Sequence, residues 1–413
     1  MAAIAGLRGS GDWGTDERPK NFREMILWMS PNGQTPLTAL TAKMKKQTTD
    51  DPEFAWWEET LTIVRVKLDD ATDMSNVDTA VVCDNGALDL KPGDMLLVEL
   101  AAGTQTANYA NEIVRVATVT DDTHFTIVRG QAGSSAASIT DNSFFTLIGS
   151  AYEEGTGAPA ATTRNPTKLY NYTQIFKDSY SITNTAKATY ARTGDPIKND
   201  KKRKMFDHST RMEMAFLFGK RYEIASGAVA GKPQRFTGGL MFFLAANAGG
   251  TRVVVKSSAY TAGNMNLFID DVKDVFDYTG EGATGGDERI VLCGNGFLNV
   301  MNQLAVKAGV INFGDIVKVY GMQFVQLVTP QGTFYFKSHP LMNVHPVYTN
   351  TAFVIDPPSL YYRPLDGRDT KPDDNIQLPG EDAQKGQWIG EVGLEFHHLQ
   401  TMKCVTNATW AAS

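Results

Sequence analysis

The chain has 413 residues, with 39 Lys or Arg against 46 Asp or Glu, a formal net charge of −7. At 42% hydrophobic and 21% charged residues it is neither a disordered chain nor a coiled coil, and at about 150 residues per domain it has room for two or three domains with buried cores. The acidic balance argues against a general nucleic-acid coat, whose task is to neutralise phosphates.

Residues 1–60 begin as a Gly-rich stretch and then carry TPLTALTAKMKK, where Leu37, Leu40 and Met44 recur at helical spacing and Pro36 beside Thr35 fits a capped start. A short helix within a long arm is expected. Residues 61–150 read as a small all-β module. LTIVRVKL alternates, KPGD (91–94) is a turn before MLLVEL, TDDT joins NEIVRVATV to HFTIVRG, and SFFTLIGSA closes the run. Strands at about ten-residue spacing suggest an inserted barrel or sandwich. EEGTGAPAATTRNP then has no core-forming pattern, and KLYNYTQIFKDSYSITNTAKATYART runs extended with both faces half-polar. Such a strand fits either a partner subunit's edge or a surface hairpin of one domain.

Residues 195–228 are expected as one long helix. Asp195 caps it, Pro196 opens it, and Met205, Met212, Ala215, Phe216 and Gly219 give an apolar stripe. Residues 195–235 hold ten Lys/Arg and five Asp/Glu, net +5. KKRK (201–204) is too short to mark a nucleic-acid patch and reads as a solvated face or a salt-bridged subunit contact. Residues 229–413 read as mixed α/β. Helices are expected at 266–279, with Leu267, Val272, Val275 and Phe276 inward, and at 296–309, with Phe297, Val300, Met301 and Leu304 on one face. ERIVLCG (288–294) is a buried strand between them. Strands follow in IVKVYGMQFVQLV, TFYFKSHP and FVIDP, then an acidic, Pro-rich surface loop at 363–386, then two closing strands.

The search for chemistry comes back empty, so neither an enzyme nor a cofactor is expected. GEGATG (280–285) matches G-x-G-x-x-G, but a helix precedes it and a strand follows, the reverse of the order a dinucleotide loop needs. The six histidines form no zinc spacing. His339 and His345 precede prolines and read as turn residues, and His397-His398 on a strand would point to opposite faces. Cys83, Cys293 and Cys404 are too few and too separated for a disulfide framework, and Cys293 on a buried strand is an inert small hydrophobe rather than a nucleophile paired with His339. Asp270-Asp271 and Asp373-Asp374 read as solvated, untuned carboxylates. The sequons at Asn171 and Asn407 carry little weight. The N-terminus lacks the order of a signal peptide and no apolar run is long enough to span a bilayer, so a soluble protein made inside the cell, with no membrane partner, is expected.

An irregular arm, an extended strand-rich loop, one long helix and a mixed domain whose last strands return at the C-terminus make up this order. It resembles the major capsid proteins of tailed bacteriophages with the Hong Kong 97-type fold. The similarity is strongest in EEGTGAPAATTRNPTKLYNYTQIFKDSYSITNTA (153–186), MEMAFLFGKR (212–221), RFTGGLMFFL (235–244) and QWIGEVGLEF (387–396). The resemblance implies an α+β chain. Its parts would be an N-terminal arm (1–50), an extension loop (51–194) enlarged by the β module at about 61–150, a spine helix and peripheral domain (195–249), an axial domain (250–335) and a return to the peripheral domain (336–413). It implies self-assembly as hexamers and pentamers into an icosahedral shell, made in the host cytoplasm, that holds packaged double-stranded DNA without reading its sequence. A separate scaffolding protein, a portal and a decoration protein are the partners it implies.

Subunit contacts are expected at Tyr170, Tyr172, Ile175 and Phe176 on the extended strand and at Lys201, Lys202, Arg203 and Lys204 on the helix. Deleting 155–190 is expected to leave a folded core that cannot assemble. A cellular nanocompartment shell of the same fold is the nearer alternative. From another class, a carbohydrate-binding or glycan-processing β protein would use Trp56 and Trp57, although no pair of carboxylates stands out for it.

Overall fold

The computed structural model describes residues 35–39, 45–59, 64–70, 72–99, 111–159, 161, 163, 165–189, 194–229, 231–246, 252–261, 266–278, 287–308, 316–319 and 322–411. The chain divides into two compact units, one of residues 57–167 and one of residues 1–56 with 168–413.

Strand β1 (Glu53–Glu58) leads into the smaller unit, whose strands are β2 (Arg65–Lys67), β3 (Ala80–Val82), β4 (Asp94–Glu99), β5 (Ile113–Val119), β6 (His124–Gln131) and β7 (Phe144–Ser150). They form one antiparallel sheet in the order β2-β7-β4-β5-β6-β3. Its two edges meet: Leu68 bridges Cys83, Asp69 N–H donates to Val82 O at 2.9 Å, and Asp84 N–H donates to Lys67 O at 3.1 Å. Closure removes the exposed sheet edges. Alternate residues point inward, so Val66, Leu96, Val98, Val114, Val116, Phe125, Ile127 and Phe145 fill the interior. Outside that core, buried Glu112 receives Arg129 Nε at 2.8 Å and Nη2 at 2.6 Å, and Arg129 also donates to Ser75 O and Asp78 O.

In the larger unit, β8 (Thr167–Tyr172) pairs with β1, and β9 (Gln174–Thr183) follows after one residue. Extended chain stops at Thr183 rather than running on to 194. The Thr183 hydroxyl accepts the Ala186 N–H at 3.2 Å and starts a short helix, α1 (Asn184–Ala188). The long helix α2 (Pro196–Phe218) begins as expected, with the Asp195 side chain accepting from Ile197 and Lys198, but it ends ten residues early. Gly219 turns the chain out of the helix. A Cβ there would lie 2.4 Å from Ala215 O and 2.6 Å from Thr237 O, so only glycine admits this approach. A small hairpin, β10 (Tyr222–Ile224) with β11 (Gln234–Phe236), takes the place of the last turns, and helix α3 (Leu240–Ala246) follows.

The larger unit is layered about a seven-stranded mixed sheet. Its strands are β12 (Val253–Val255), β14 (Glu288–Cys293), β15 (Ile316–Val319), β16 (Met322–Thr329), β17 (Gly332–Ser338), β18 (Ala352–Ile355) and β22 (Lys403–Thr406), in the order β12-β22-β18-β14-β17-β16-β15. A short parallel pair, β13 (Tyr260–Thr261) with β23 (Trp410–Ala411), lies outside it. Alternation on the central strand feeds two cores. Ile290 and Leu292 pack with Met212, Phe216 and Leu217 of α2 and with Leu240, Phe243 and Leu244 of α3. Val291 and Cys293 pack with helix α4 (Asn266–Val272) and helix α5 (Asn295–Ala308) through Phe268, Phe297, Val300, Met301 and Leu304. The helix expected over 266–279 is split, because a 3-10 turn at Lys273–Val275 follows α4. Val272 and Val275 are buried as expected.

A second sheet positions α2. Strand β21 (Ala383–Phe396) is its centre and pairs with β9 over ten residues, Gln174 opposite Val392 through Thr183 opposite Ala383. On the other side it pairs with β19 (Leu360–Pro364) and β20 (Lys371–Asp374). The tract 363–386 is therefore not all loop. Its exposed strand β20 lies on an edge, where Pro372 is tolerated. Residues 46–49 run parallel to β19, with Gln47 N–H donating to Tyr362 O at 3.1 Å. Residues 36–39 form a helical turn, while Leu40, Met44 and GEGATG lie outside the described residues. Among the described residues no helix is long and apolar enough to cross a membrane.

Candidate assembly surface

Helix α2 and the β9–β21 ladder meet through buried polar groups as well as apolar ones. Met205, expected inward, is 52% exposed. The inward positions are His208, Met212, Glu213, Phe216 and Leu217, so two of the five are ionisable. Along β9 the inward residues are Phe176, Asp178 and Tyr180, with Ile175, Lys177 and Ser179 outward. The alternation is regular and is masked in the sequence because Asp178 occupies a buried position.

Two polar clusters hold this joint, around Asp178 and Asp374, and a third, around Glu213, ties α2 to the arm and to a strand end. Asp178 accepts the His208 Nδ1–H at 3.3 Å and an Arg211 guanidinium N–H. Burial holds the His208 imidazole below its ordinary pKa against the opposing pull of Asp178, so the ring is neutral and Nε2 is left without a hydrogen-bond partner. Glu213, fully buried, accepts Leu37 N–H and Thr38 N–H at 2.8 Å each, the Thr38 hydroxyl, and His339 Nε2–H at 2.9 Å. His339 is thus more than the turn residue expected: its ring ties a strand end to α2. Asp374 receives the Tyr180 hydroxyl and Lys201 Nζ at 2.7 Å, and Trp388 Nε1–H donates to Lys201 O at 3.1 Å. The Lys201 ammonium, then Tyr180, hold the Asp374 carboxyl below its usual range, while burial and then Asp374 push the Tyr180 phenol up to about 12. Gly386 makes room for that phenol, since a Cβ there would lie 2.4 Å from its oxygen.

Asn171 was legible only as a sequon, and it is buried out of reach of any glycan. Its Nδ2 donates to Gly238 O at 3.0 Å and Leu394 O at 2.7 Å, and its Oδ1 accepts Tyr172 N–H at 2.9 Å and Gly238 N–H at 2.7 Å.

The expected contact residues separate. Ile175 is 49% exposed, and Tyr170 and Tyr172 are half-buried, with the Arg221 guanidinium 3.8 Å from the Tyr170 ring centroid. Phe176 is 6% exposed and packs into its own chain's core against His208, so in this conformation it offers nothing to a neighbour. Lys201 is committed to Asp374 and Lys204 to Asp207 at 3.2 Å, while Lys202 and Arg203 face outward. Asp374 is a salt-bridge acceptor rather than a free carboxylate. Asp271, also expected to be solvated, accepts the Tyr260 hydroxyl at 2.6 Å and pairs with Lys256 at 2.8 Å.

The remaining chemical candidates are structural. Burial raises the Cys293 and Cys404 thiols, and burial with nearby Asp122 raises Cys83 to about 11. His397 bonds Glu395 and stacks on Trp56 and Tyr361. Trp56 is buried between Phe54, Phe243 and His397, so it makes no sugar platform, although Trp57 is exposed. Among the described residues no three His, Cys, Asp or Glu side chains gather to hold a metal.

Comparison with known proteins addresses the whole chain. The major capsid protein of Pseudomonas phage PaMx41 is 26% identical over 404 residues, covering 94% of this chain and 92% of that one. Among solved structures, the capsid asymmetric unit of cyanophage A-1(L) is similar at 10% identity and TM-score 0.48, covering 97% of this chain and 98% of that one. The holo-SrpI encapsulin complex of Synechococcus elongatus PCC 7942 is similar at 10% identity and TM-score 0.40, covering 60% and 77%. The order expected from the sequence, an extended strand-rich loop, one long helix and a mixed domain whose last strands return at the C-terminus, is the order observed among the described residues. The model of the family described as SU10 major capsid protein matches residues 8–409, and the chain belongs to that family.

Proposed function

We propose that this chain works by assembling with copies of itself, as hexamers and pentamers, into the icosahedral shell of a virion. The observation that carries the reading is the family match over residues 8–409. The geometry supports it: a ten-pair ladder stiffened on a 23-residue helix leaves the outward face of β9 open, with Ile175, Lys177 and Ser179 on it. Many modest contacts of that kind become irreversible in a closed shell through multivalency. In this reading residues 1–50 are the arm, 51–194 the extension loop, 195–249 and 336–413 the peripheral domain, and 250–335 the axial domain. The compact unit 57–167 supports taking the β module as an insertion within the loop. A scaffolding protein, a portal and a decoration protein are its partners, assembly takes place in the host cytoplasm, and double-stranded DNA fills the shell without sequence readout. The −7 charge suits a container that must let DNA enter and leave.

Purified protein should form ring-shaped capsomers or closed shells in sedimentation velocity and negative-stain images. A strictly monomeric species across the micromolar range would sink the reading, and a protein cargo in place of DNA in native particles would turn it to a nanocompartment. Deleting 155–190 is not the informative variant, because β9 carries the core residues Phe176, Asp178 and Tyr180. Ile175→Asp leaves the buried face intact and is expected to weaken assembly.

A further inference from the structure

Two features of the larger unit are left without a role, and they are complementary. One is a groove of about 480 Å³ where α2 ends, lined by Ala215, Gly219, Tyr222, Phe236 and Thr237 with Lys220 at its rim. Tyr222 is 59% exposed on its wall. The other is the tip of the β20–β21 hairpin, residues 375–382, where Leu378 is 73% exposed. That tip is a tight turn rather than a loose loop. Glu381 N–H donates to Leu378 O at 3.1 Å across Pro379 and Gly380, the latter at φ +87°, and Leu378 N–H donates back to Glu381 Oε2 at 3.3 Å. A Pro-Gly turn closed in both directions presents Leu378 as a preorganised knob, which lowers the entropy cost of docking it.

We propose that the Leu378 knob of one copy seats in the α2-end groove of a second copy. This rests on the shell reading above and names the contact within it. The match is apolar at the centre and charged at the rim, with exposed Glu381, which also pairs with Lys385, and exposed Asp382 on the knob, and exposed Lys220 at the groove. The knob cannot reach its own groove. Groove residue Gln174 pairs with Val392 at one end of the β9–β21 ladder, and Thr183 pairs with Ala383, beside the knob, at the other. Ten paired residues separate them by about 30 Å. The ladder is fixed on α2 by Phe176, Asp178 and Tyr180, so it does not fold back. Knob and groove are different surfaces, which makes the contact heterologous, the kind that closes into rings.

The test is a cysteine pair. The native thiols Cys83, Cys293 and Cys404 are buried. Chains carrying Leu378→Cys and Tyr222→Cys together, assembled and mildly oxidised, should give covalent ladders from dimer to hexamer on a non-reducing gel, while either single variant should not. Assembled particles of the double variant that stay uncrosslinked, or that close the bond within one chain, overturn the proposal and leave the shell reading standing. If the unsubstituted protein forms no capsomers, it is the shell reading that fails. A charge swap guards against an unassembled cysteine pair. Lys220→Glu and Asp382→Lys should each lower particle yield roughly tenfold and should restore it together. Additive losses in the combined variant would refute the contact.

Discussion

Replacing Glu213 by Gln tests how the arm is held to the long helix. The carboxylate is fully buried, and each oxygen serves two donors: Oε1 takes Leu37 N–H and His339 Nε2–H, and Oε2 takes Thr38 N–H and the Thr38 hydroxyl. Glutamine keeps the shape but turns one oxygen into an NH2 that accepts nothing. The Thr38 hydroxyl can rotate to accept from it. A His339 that switched tautomer would instead bury a proton on Nδ1, which has no partner. Either orientation strands a backbone N–H, which costs roughly 1–3 kcal/mol, and weakens the surviving charge-assisted bonds by about 1 kcal/mol. The smaller desolvation cost of an amide offsets part of this, leaving about 2–3 kcal/mol against the local closed state. At 1.4 kcal/mol per factor of ten, hydrogen exchange in a peptide covering residues 35–39 should then speed up roughly 30- to 150-fold. The rest of α2 should keep its protection. Thr38→Val, which removes the hydroxyl bond alone, should show only about a fivefold effect. Unchanged exchange over 35–39 in the Gln variant would refute the clamp.

Three further outcomes follow from the same physics. The His208 pKa is depressed in the folded chain, so the stability that depends on its neutral ring is complete above the unfolded value of about 6.5 and is lost as the pH falls through the lower folded value. Melting temperature scanned from pH 7.5 to pH 5 should therefore drop more steeply in the native chain than in His208→Phe, and parallel curves would contradict the assignment. Asn171→Ala strands the Gly238 N–H and the Leu394 carbonyl in the core and should cost roughly 3–5 kcal/mol, read as a lower melting temperature or loss of soluble protein. Arg129→Met leaves Glu112 buried without its cation and should destabilise the β module by about 3–5 kcal/mol, whereas pairing it with Glu112→Gln, which removes the charge and keeps an acceptor for the Gly130 N–H, should recover most of it; denaturation of the full chain followed by tryptic protection of 64–150 distinguishes them.

The strands of the β module were legible because one face is buried and the period is 2, as in IVRVATV. The second core was legible because Phe297, Val300, Met301 and Leu304 are apolar at helical spacing. The α2 joint was not. A polarity pattern sends Asp178, His208 and Glu213 to solvent, and only partners 30 or more residues away in sequence, Asp178 for His208 and His339 for Glu213, make their burial tolerable. The same blindness placed Met205 inward. The helix end was misjudged at Gly219, whose meaning lies in the Thr237 carbonyl packed against it. Strand β20 was hidden because all four of its residues are exposed and one is proline.

The pairing of β1 with β8 makes the entrance and exit of residues 57–167 bonded neighbours about 5 Å apart. Strands so placed can be joined by a tight turn at little loop-closure cost, or can hold the two ends of a foreign domain. The inserted barrel, which closes its own edges and carries its own core, is therefore an exchangeable cassette. A particle built from such chains would carry one payload per subunit at a density set by the shell's own lattice.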